Sequence, residues 1–121
     1  MKGIKLLTRS EFQVMQILWT LPGESGFTGD ILARYEDPKP AYTTLATFLK
    51  ILQRKGFVKF KKKGNKLFFT PAINKKEYAQ VYLAPVRSTF FNGDIAEEIR
   101  FILSRETLTD EERQAIREIV G

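Results

Sequence analysis

Apolar side chains recur at helical spacing in three short segments in the first half of the sequence. The first segment opens with Thr8-Arg-Ser-Glu11, a capping box, and predicts a helix over residues 9–20. A second, shorter helix is predicted from the residue after Thr28, its N-cap, through Tyr35, and a third over residues 41–55. The prolines in residues 37–40 separate these two helices, because a residue before proline disfavours the α region. Two helices joined by so tight a connection predict a helix-turn-helix.

A β-hairpin is predicted directly after the third helix. Gly56 is a typical helix stop, and Gly64-Asn65 is a strong two-residue turn signal. A turn at that place pairs Phe60 with Phe69 and Lys63 with Lys66. The residues that would then share the inward face are Val58, Phe60, Leu67 and Phe69. The outward face would carry Lys59, Lys61, Lys63 and Lys66. An ordinary edge hairpin protected by lysines is one interpretation of this pattern, but its position after a polar-striped helix favours DNA contact.

The third predicted helix has two opposite faces. Its apolar face, Leu45, Phe48, Leu49 and Leu52, is typical of a helix packed on a core. Its other face carries hydroxyl groups and cations, which suit a helix in the major groove of DNA. The residues expected nearest the base edges are Tyr42, Thr43, Thr44, Thr47 and Lys50. Arg54 and the hairpin lysines are expected to contact phosphates, which positions a protein without reading sequence.

The net charge of +6 is unevenly distributed. Residues 1–73 carry 13 Lys and Arg against 5 Asp and Glu, whereas residues 74–121 carry 7 against 9. This asymmetry indicates either one half built to bind a polyanion and another with a different role, or a solvated basic face without a partner. Together with the helix and hairpin described above, it leads us to expect a DNA-binding domain at residues 1–73 and a separate domain at residues 74–121.

Three helices are predicted in residues 74–121, with caps at Asn74, Asp94 and Thr109, and Pro85 is expected to kink or split the first of them. Their apolar residues are too few to close a core within one chain, so the tail is expected to form a homodimer. The residues assigned to this interface are Tyr78, Val81, Tyr82, Ile95, Ile99, Ile102, Leu103, Ile116 and Ile119.

Catalysis is not expected from this composition. The sequence has neither His nor Cys, which removes the commonest general base, the usual zinc ligands and the thiol nucleophile. The acidic runs at residues 97–98 and 110–112 lie where helices begin, a position that favours negative charge for electrostatic reasons. We expect no enzyme activity, no cofactor and no metal. Since no apolar stretch could span a bilayer and no signal peptide is evident, a cytoplasmic protein is expected.

Several motifs in this order resemble the penicillinase-repressor (BlaI/MecI) family of winged-helix regulators. Leu7-Thr-Arg-Ser-Glu-Phe-Gln-Val-Met-Gln-Ile-Leu-Trp19 resembles the opening of that family. The run from Lys39 to Thr44 and the run from Leu52 to Val58 resemble its recognition helix and the entry to its wing. Phe90-Phe-Asn-Gly93 resembles a junction in its C-terminal domain. The resemblance covers nearly the whole sequence.

The resemblance implies a mostly α fold with a small β-hairpin wing: a winged helix-turn-helix domain followed by a helical dimerisation region. It also implies a homodimeric repressor of β-lactam-resistance or related genes, bound to a pseudo-palindromic DNA operator. Release from the operator would follow when a membrane sensor-protease, or a factor that it activates, cuts the C-terminal region of the repressor. Where relatives have an Asn-Phe cleavage bond, this sequence has Arg100-Phe101. Other interpretations are a winged-helix module for an acidic protein partner and, with less support, an RNA-binding protein.

Overall fold

A computed structural model of the protein describes residues 6–121, and they divide into two compact units. The first unit extends to Tyr82 and the second comprises Leu83–Gly121. The elements of the first unit are α1 (Arg9–Thr20), a 3₁₀ turn (Pro22–Glu24), β1 (Gly26–Phe27), α2 (Thr28–Ala33), α3 (Tyr42–Arg54), β2 (Val58–Lys63) and β3 (Lys66–Pro71). Helix α4 (Lys75–Phe91) begins in the first unit and continues into the second, which also contains α5 (Ile95–Arg105) and α6 (Asp110–Val120).

Local sequence signals mark the start of α1 and the end of α3. At the start of α1, Thr8 N donates to Glu11 Oε1 at 3.1 Å and Glu11 N donates to Thr8 Oγ1 at 3.3 Å. This is the predicted capping box, and the predicted bounds of α1 are confirmed. Helix α3 lies within one residue of its predicted bounds at each end. Gly56 follows it with a φ of 85°, a left-handed conformation that glycine adopts without steric cost.

The hairpin register is confirmed, and the sheet contains one more strand than predicted. Phe60 pairs with Phe69, and Lys63 with Lys66, across a turn in which Gly64 has a φ of 65°. β1 pairs antiparallel with β3, so the strand order is β1-β3-β2. A strand of two residues has no alternating pattern, which explains why the sequence did not indicate it.

One hydrophobic core joins the helices and the sheet of the first unit. The side chains of Val14, Met15, Leu18, Ile31, Leu45, Leu49 and Leu52 are completely buried. Trp19 is a core residue, and its Nε1 donates to the carbonyl oxygen of Ile73 at 3.0 Å. The arrangement of three helices and a hairpin around this core is a winged helix-turn-helix.

The prediction for α2 was wrong at both ends. Thr28 is the first residue of the helix rather than its N-cap, and Phe27 N donates to Asp30 Oδ2 at 2.8 Å instead. The helix ends at Ala33, so the connection to α3 comprises residues 34–41 and is longer than expected. The apolar spacing that continued to Tyr35 was misleading, because Tyr35 is buried without being helical.

Two residues of the predicted inward face of the hairpin are not buried. Val58 and Phe69 lie in the core, but Phe60 is 48% exposed and Leu67 is 41% exposed. Leu67 lies closer to the turn than Phe69 does, whereas Phe60 lies opposite Phe69 on β2, an edge strand, and Phe69 lies on the central strand β3. The core therefore covers only part of the face that the alternating pattern was expected to bury.

The second unit has helix caps but no apolar core of its own. Asp94 Oδ1 accepts from Ala96 N at 2.9 Å, and Thr109 and Glu112 form a capping box, as predicted. Pro85 does not split α4, which runs as one helix. Among residues 83–121, all of which the structure describes, the only buried residue is Glu98, which pairs with Arg87.

Candidate nucleic-acid interface

Helix α3 presents its polar face to solvent. Thr43, Thr47, Lys50 and Arg54 are exposed and form one stripe opposite the buried leucines, while exposed Tyr42 and Thr44 flank that stripe. The Thr47 hydroxyl donates to the carbonyl oxygen of Thr43 at 3.0 Å, which leaves the lone pairs of the hydroxyl oxygen free to accept, and the side chain is exposed. Thr47 can thus accept from a base amino group or contact a thymine methyl group.

The hairpin lysines form a second cationic surface. Lys59, Lys61, Lys63 and Lys66 are exposed on the face of the sheet that also carries Phe68. Lys63 Nζ lies 3.8 Å from the centre of the Phe68 ring, a cation–π contact. In the described part of the chain the ion pairs are Lys55–Glu11 and Arg87–Glu98, so no hairpin lysine is neutralised by a carboxylate. An unpaired cationic hairpin is suited to bind a polyanion.

The C-terminal end of α3 is anchored to α1 by an ion pair. Lys55 Nζ donates to Glu11 Oε1 at 2.8 Å and to Oε2 at 3.0 Å, and Glu11 is only 5% exposed. Burial by itself raises the pKa of Glu11. The hydrogen bonds from Lys55 and Thr8 and the charge of Lys55 outweigh burial, so the pKa of Glu11 lies below its ordinary value.

The N-terminal approach to α3 is held by a second lysine, which the sequence did not mark as functional. Lys39 Nζ donates to the carbonyl oxygens of Tyr35 at 2.6 Å and of Leu32 and Ala33 at 3.2 Å each. These carbonyls lie at and just beyond the end of α2, where backbone acceptors have no helical partner. Lys39 therefore fixes the connection between α2 and α3 rather than contributing to the outward cationic surface.

An open cleft of about 630 Å³ separates α3 from the hairpin. Its walls include Tyr42, Thr47 and Lys50 from α3 and Phe60, Lys66 and Leu67 from the hairpin. The exposed Phe60 and Leu67 side chains are thus brought beside residues predicted to contact DNA. The sequence could not indicate this cleft, because the pattern of apolar and polar residues does not tell how α3 and the hairpin are oriented on either side of the turn at Gly56.

Of the residues assigned to a dimer interface, Tyr78 does not lie on a surface. It is 3% exposed and packs against the rings of Phe12, Trp19 and Phe57, and its hydroxyl accepts from Leu7 N at 2.9 Å. Assigning Tyr78 to the interface was wrong, because a helical period does not tell which surface an apolar residue contacts. The other assigned residues are exposed or half-buried: Val81, Tyr82, Ile95, Ile99, Ile102, Leu103, Ile116 and Ile119.

The residues at the expected cleavage bond are both exposed on α5. The Phe101 ring lies 5.5 Å from the Phe91 ring and 5.5 Å from the Arg105 guanidinium carbon. Residues 6–121 contain no cluster of three or more carboxylates that could hold a metal ion, and none of their helices is long and apolar enough to cross a membrane.

The fold and the surface geometry define a winged helix-turn-helix protein with an exposed, polar third helix. Comparison with known proteins narrows this class. The sequence matches the penicillinase repressor family over residues 7–121, and the chain belongs to that family. It is 25% identical to the penicillinase repressor of Bacillus licheniformis over an alignment of 121 residues. That alignment covers 99% of this chain and 93% of the Bacillus licheniformis protein. The protein is accordingly a transcriptional repressor and not an enzyme.

Two solved structures are similar to part of the chain. Rv0081 from M. tuberculosis superimposes with a TM-score of 0.48 and 21% identity, over 68% of this chain and 81% of that one. HlyU from Vibrio cholerae gives a TM-score of 0.44 and 23% identity, over 65% of this chain and 79% of that one.

Proposed function

We propose that the protein represses transcription as a homodimer bound to a pseudo-palindromic DNA operator. In this proposal α3 lies in the major groove, with Tyr42, Thr43, Thr44, Thr47 and Lys50 nearest the base edges. Arg54 and the hairpin lysines contact phosphates. The observation that carries the proposal is the joint exposure, on α3 and the hairpin, of cations that have no carboxylate partner in the described chain.

Dimerisation is proposed through the second unit. Phe90, Ile95, Ile99, Ile102 and Ile119 are exposed there, and no apolar side chain of residues 83–121 is buried. Single chains seldom leave so much apolar surface in contact with water, whereas homodimer interfaces cover it. Two linked DNA-binding units bind together because the second contact is intramolecular, which adds roughly 10²–10⁴ in avidity.

Release is proposed to follow cleavage of the C-terminal region, by a membrane sensor-protease or a factor it activates, with Arg100-Phe101 as the candidate bond. A cut there divides α5 and removes Ile102, Leu103, Ile116 and Ile119. The genes proposed to be regulated are those of β-lactam resistance or a related response. This rests on membership of the penicillinase repressor family.

DNA binding is tested by fluorescence anisotropy with a random duplex of about 30 base pairs over a series of salt concentrations. Replacing Lys61 and Lys63 by Ala should weaken binding and flatten the slope of log K against log salt by about 1 per lost phosphate contact. The control is Lys75→Ala with Lys76→Ala, which removes the same charge from exposed lysines outside α3 and the hairpin. An equal loss of slope in both double variants would contradict the proposal.

Sequence reading by α3 is tested within the same experiment. Thr47→Ala and Lys50→Ala should lower affinity for a duplex selected by the wild-type protein by roughly 1–3 kcal/mol per lost base contact, and affinity for random duplex much less. If affinity falls equally for both duplexes, α3 does not read sequence. If the protein instead binds an acidic protein partner, which is the alternative function, the wild-type protein should show no preference among duplexes.

Dimerisation and release are tested with a chain truncated after Arg100. Light scattering should detect a monomer, and affinity for the selected duplex should fall by about 10²–10⁴. Trp19 fluorescence should report that the first unit remains folded, since Trp19 lies in its core. A truncated chain that stays dimeric and binds like the full chain would refute both the interface and the mode of release.

A further inference from the structure

The cleft between α3 and the hairpin has an apolar floor with a polar and cationic rim. Phe60 and Leu67 contribute exposed carbon surface, and Lys50, Gln53, Asn65 and Lys66 contribute donors. Asp30 is the one acidic residue among the lining residues, and its Oδ2 already accepts from Phe27 N at 2.8 Å. The cleft is therefore suited to a ligand that alternates anionic and apolar groups.

The orientation of α3 relates this cleft to the DNA-reading stripe. At about 100° per residue, Tyr42, Ala46 and Gln53 lie on one flank of the helix, roughly 90° from the stripe of Thr43, Thr47 and Lys50. A helix about 10–12 Å across nearly fills a major groove about 12 Å wide, so each flank of the helix meets a sugar–phosphate strand. The flank that faces the hairpin is the wall of the cleft.

We infer that the cleft seats one sugar–phosphate strand of the bound DNA, with Phe60 and Leu67 packed against its deoxyribose rings. The inference rests on the proposed DNA binding and adds to it residues that carry no charge. Lysines and phosphates account for the salt-dependent share of affinity through counterion release. Apolar contact with deoxyribose releases no counterion, so it contributes a share that salt does not alter.

Phe60→Thr with Leu67→Thr is the variant that tests the inference. Threonine keeps the strand preference at both exposed positions while it removes most of the carbon surface. Affinity for the same random duplex should fall about tenfold at every salt concentration, with the salt slope unchanged. Leu6→Thr is a matched control, since Leu6 is an apolar residue outside the cleft with a similar exposure of 46%.

Lys66 lies on the rim of the same cleft, and Lys66→Ala should have the opposite effect on the salt dependence of binding. It should flatten the slope by about 1, because it removes a phosphate contact. Circular dichroism and Trp19 fluorescence confirm that each variant is folded before binding is measured.

The outcomes separate this inference from the proposed function. If Phe60→Thr with Leu67→Thr binds like wild type, or if its salt slope flattens, the apolar floor does not pack on the strand and the inference is wrong. In that case the wild-type salt slope and its loss in Lys61→Ala with Lys63→Ala still support DNA binding. If the wild-type protein binds no duplex, both the inference and the proposed function fail.

Discussion

Glu11→Gln is the substitution whose effect the structure defines most sharply. The new amide would keep an oxygen acceptor for Thr8 N but would replace a carboxylate that accepts two hydrogen bonds from Lys55 Nζ, at 2.8 and 3.0 Å. Breaking a fully buried ion pair costs about 3–5 kcal/mol. The Lys55 side chain is 33% exposed and can regain water, so the expected loss in the free energy of unfolding is smaller, about 1–2 kcal/mol at neutral pH.

The effect should depend on pH with a defined sign. The folded-state pKa of Glu11 is lowered, so the ion pair contributes its full stability above the unfolded value of about 4.3. That contribution is lost as the pH falls through the folded-state pKa. The difference between wild type and Glu11→Gln should therefore be largest at neutral pH and should shrink as the solution is acidified below about pH 4.

Urea unfolding followed by Trp19 fluorescence measures this difference, because Trp19 is the only tryptophan and is buried in the first unit. Protein concentration must be held constant, since self-association would make apparent stability depend on it. Glu77→Gln is the matched control: Glu77 forms an exposed capping box with Asn74 and has no lysine partner among the described ion pairs. A loss for Glu11→Gln that is the same at about pH 3 and about pH 7, or no larger than that for Glu77→Gln, would refute the reasoning.

Two further substitutions test residues that the sequence did not assign correctly. Lys39→Met keeps the aliphatic stem of the side chain but removes three hydrogen bonds to carbonyl oxygens. It should therefore lower the free energy of unfolding by about 1–3 kcal/mol and reduce the preference for a selected over a random duplex. Lys62→Met, at an exposed hairpin position, is the control and should change neither stability nor that preference by much. Tyr78→Phe should lower the free energy of unfolding by about 1 kcal/mol, because it leaves Leu7 N without its acceptor. The oligomeric state measured by light scattering should not change. If the variant dissociates, Tyr78 does contribute to the interface.

The parts of the fold that the sequence predicted well depend on neighbouring residues. Capping boxes join residues three apart, because each side chain accepts from the backbone N–H of the other residue, and the hairpin register follows from the position of Gly64-Asn65. The end of α2 was mispredicted, and the Lys39 bonds to the carbonyl oxygens of Leu32 and Ala33 join residues six and seven apart, which local periodicity does not indicate. Apolar spacing through Tyr35 extended a helix that the backbone does not continue.

The candidate site was predictable in its residue types but not in its three-dimensional arrangement. Periodicity assigned the exposed stripe of α3 correctly, because a face opposite buried leucines must meet solvent or a ligand. It could not tell that the core covers Val58 and Phe69 but not the other two residues of the inward face, so Phe60 and Leu67 were expected to be buried. It also could not distinguish a helix face packed on its own chain from one that is exposed, which is why Tyr78 was grouped with Tyr82.

The lysines near α3 fall into two structural groups, and their number alone would overstate the charge available for the proposed DNA contact. Lys39 and Lys55 hold the two ends of α3, one on backbone carbonyls and the other on Glu11. Their ammonium groups are already hydrogen-bonded, so moving either to a phosphate would break those bonds and loosen the helix that presents Thr47 and Lys50. The hairpin lysines have no such partner in the described chain. Removing a hairpin lysine should therefore change the salt slope of DNA binding, whereas removing Lys39 or Lys55 should change stability and sequence preference.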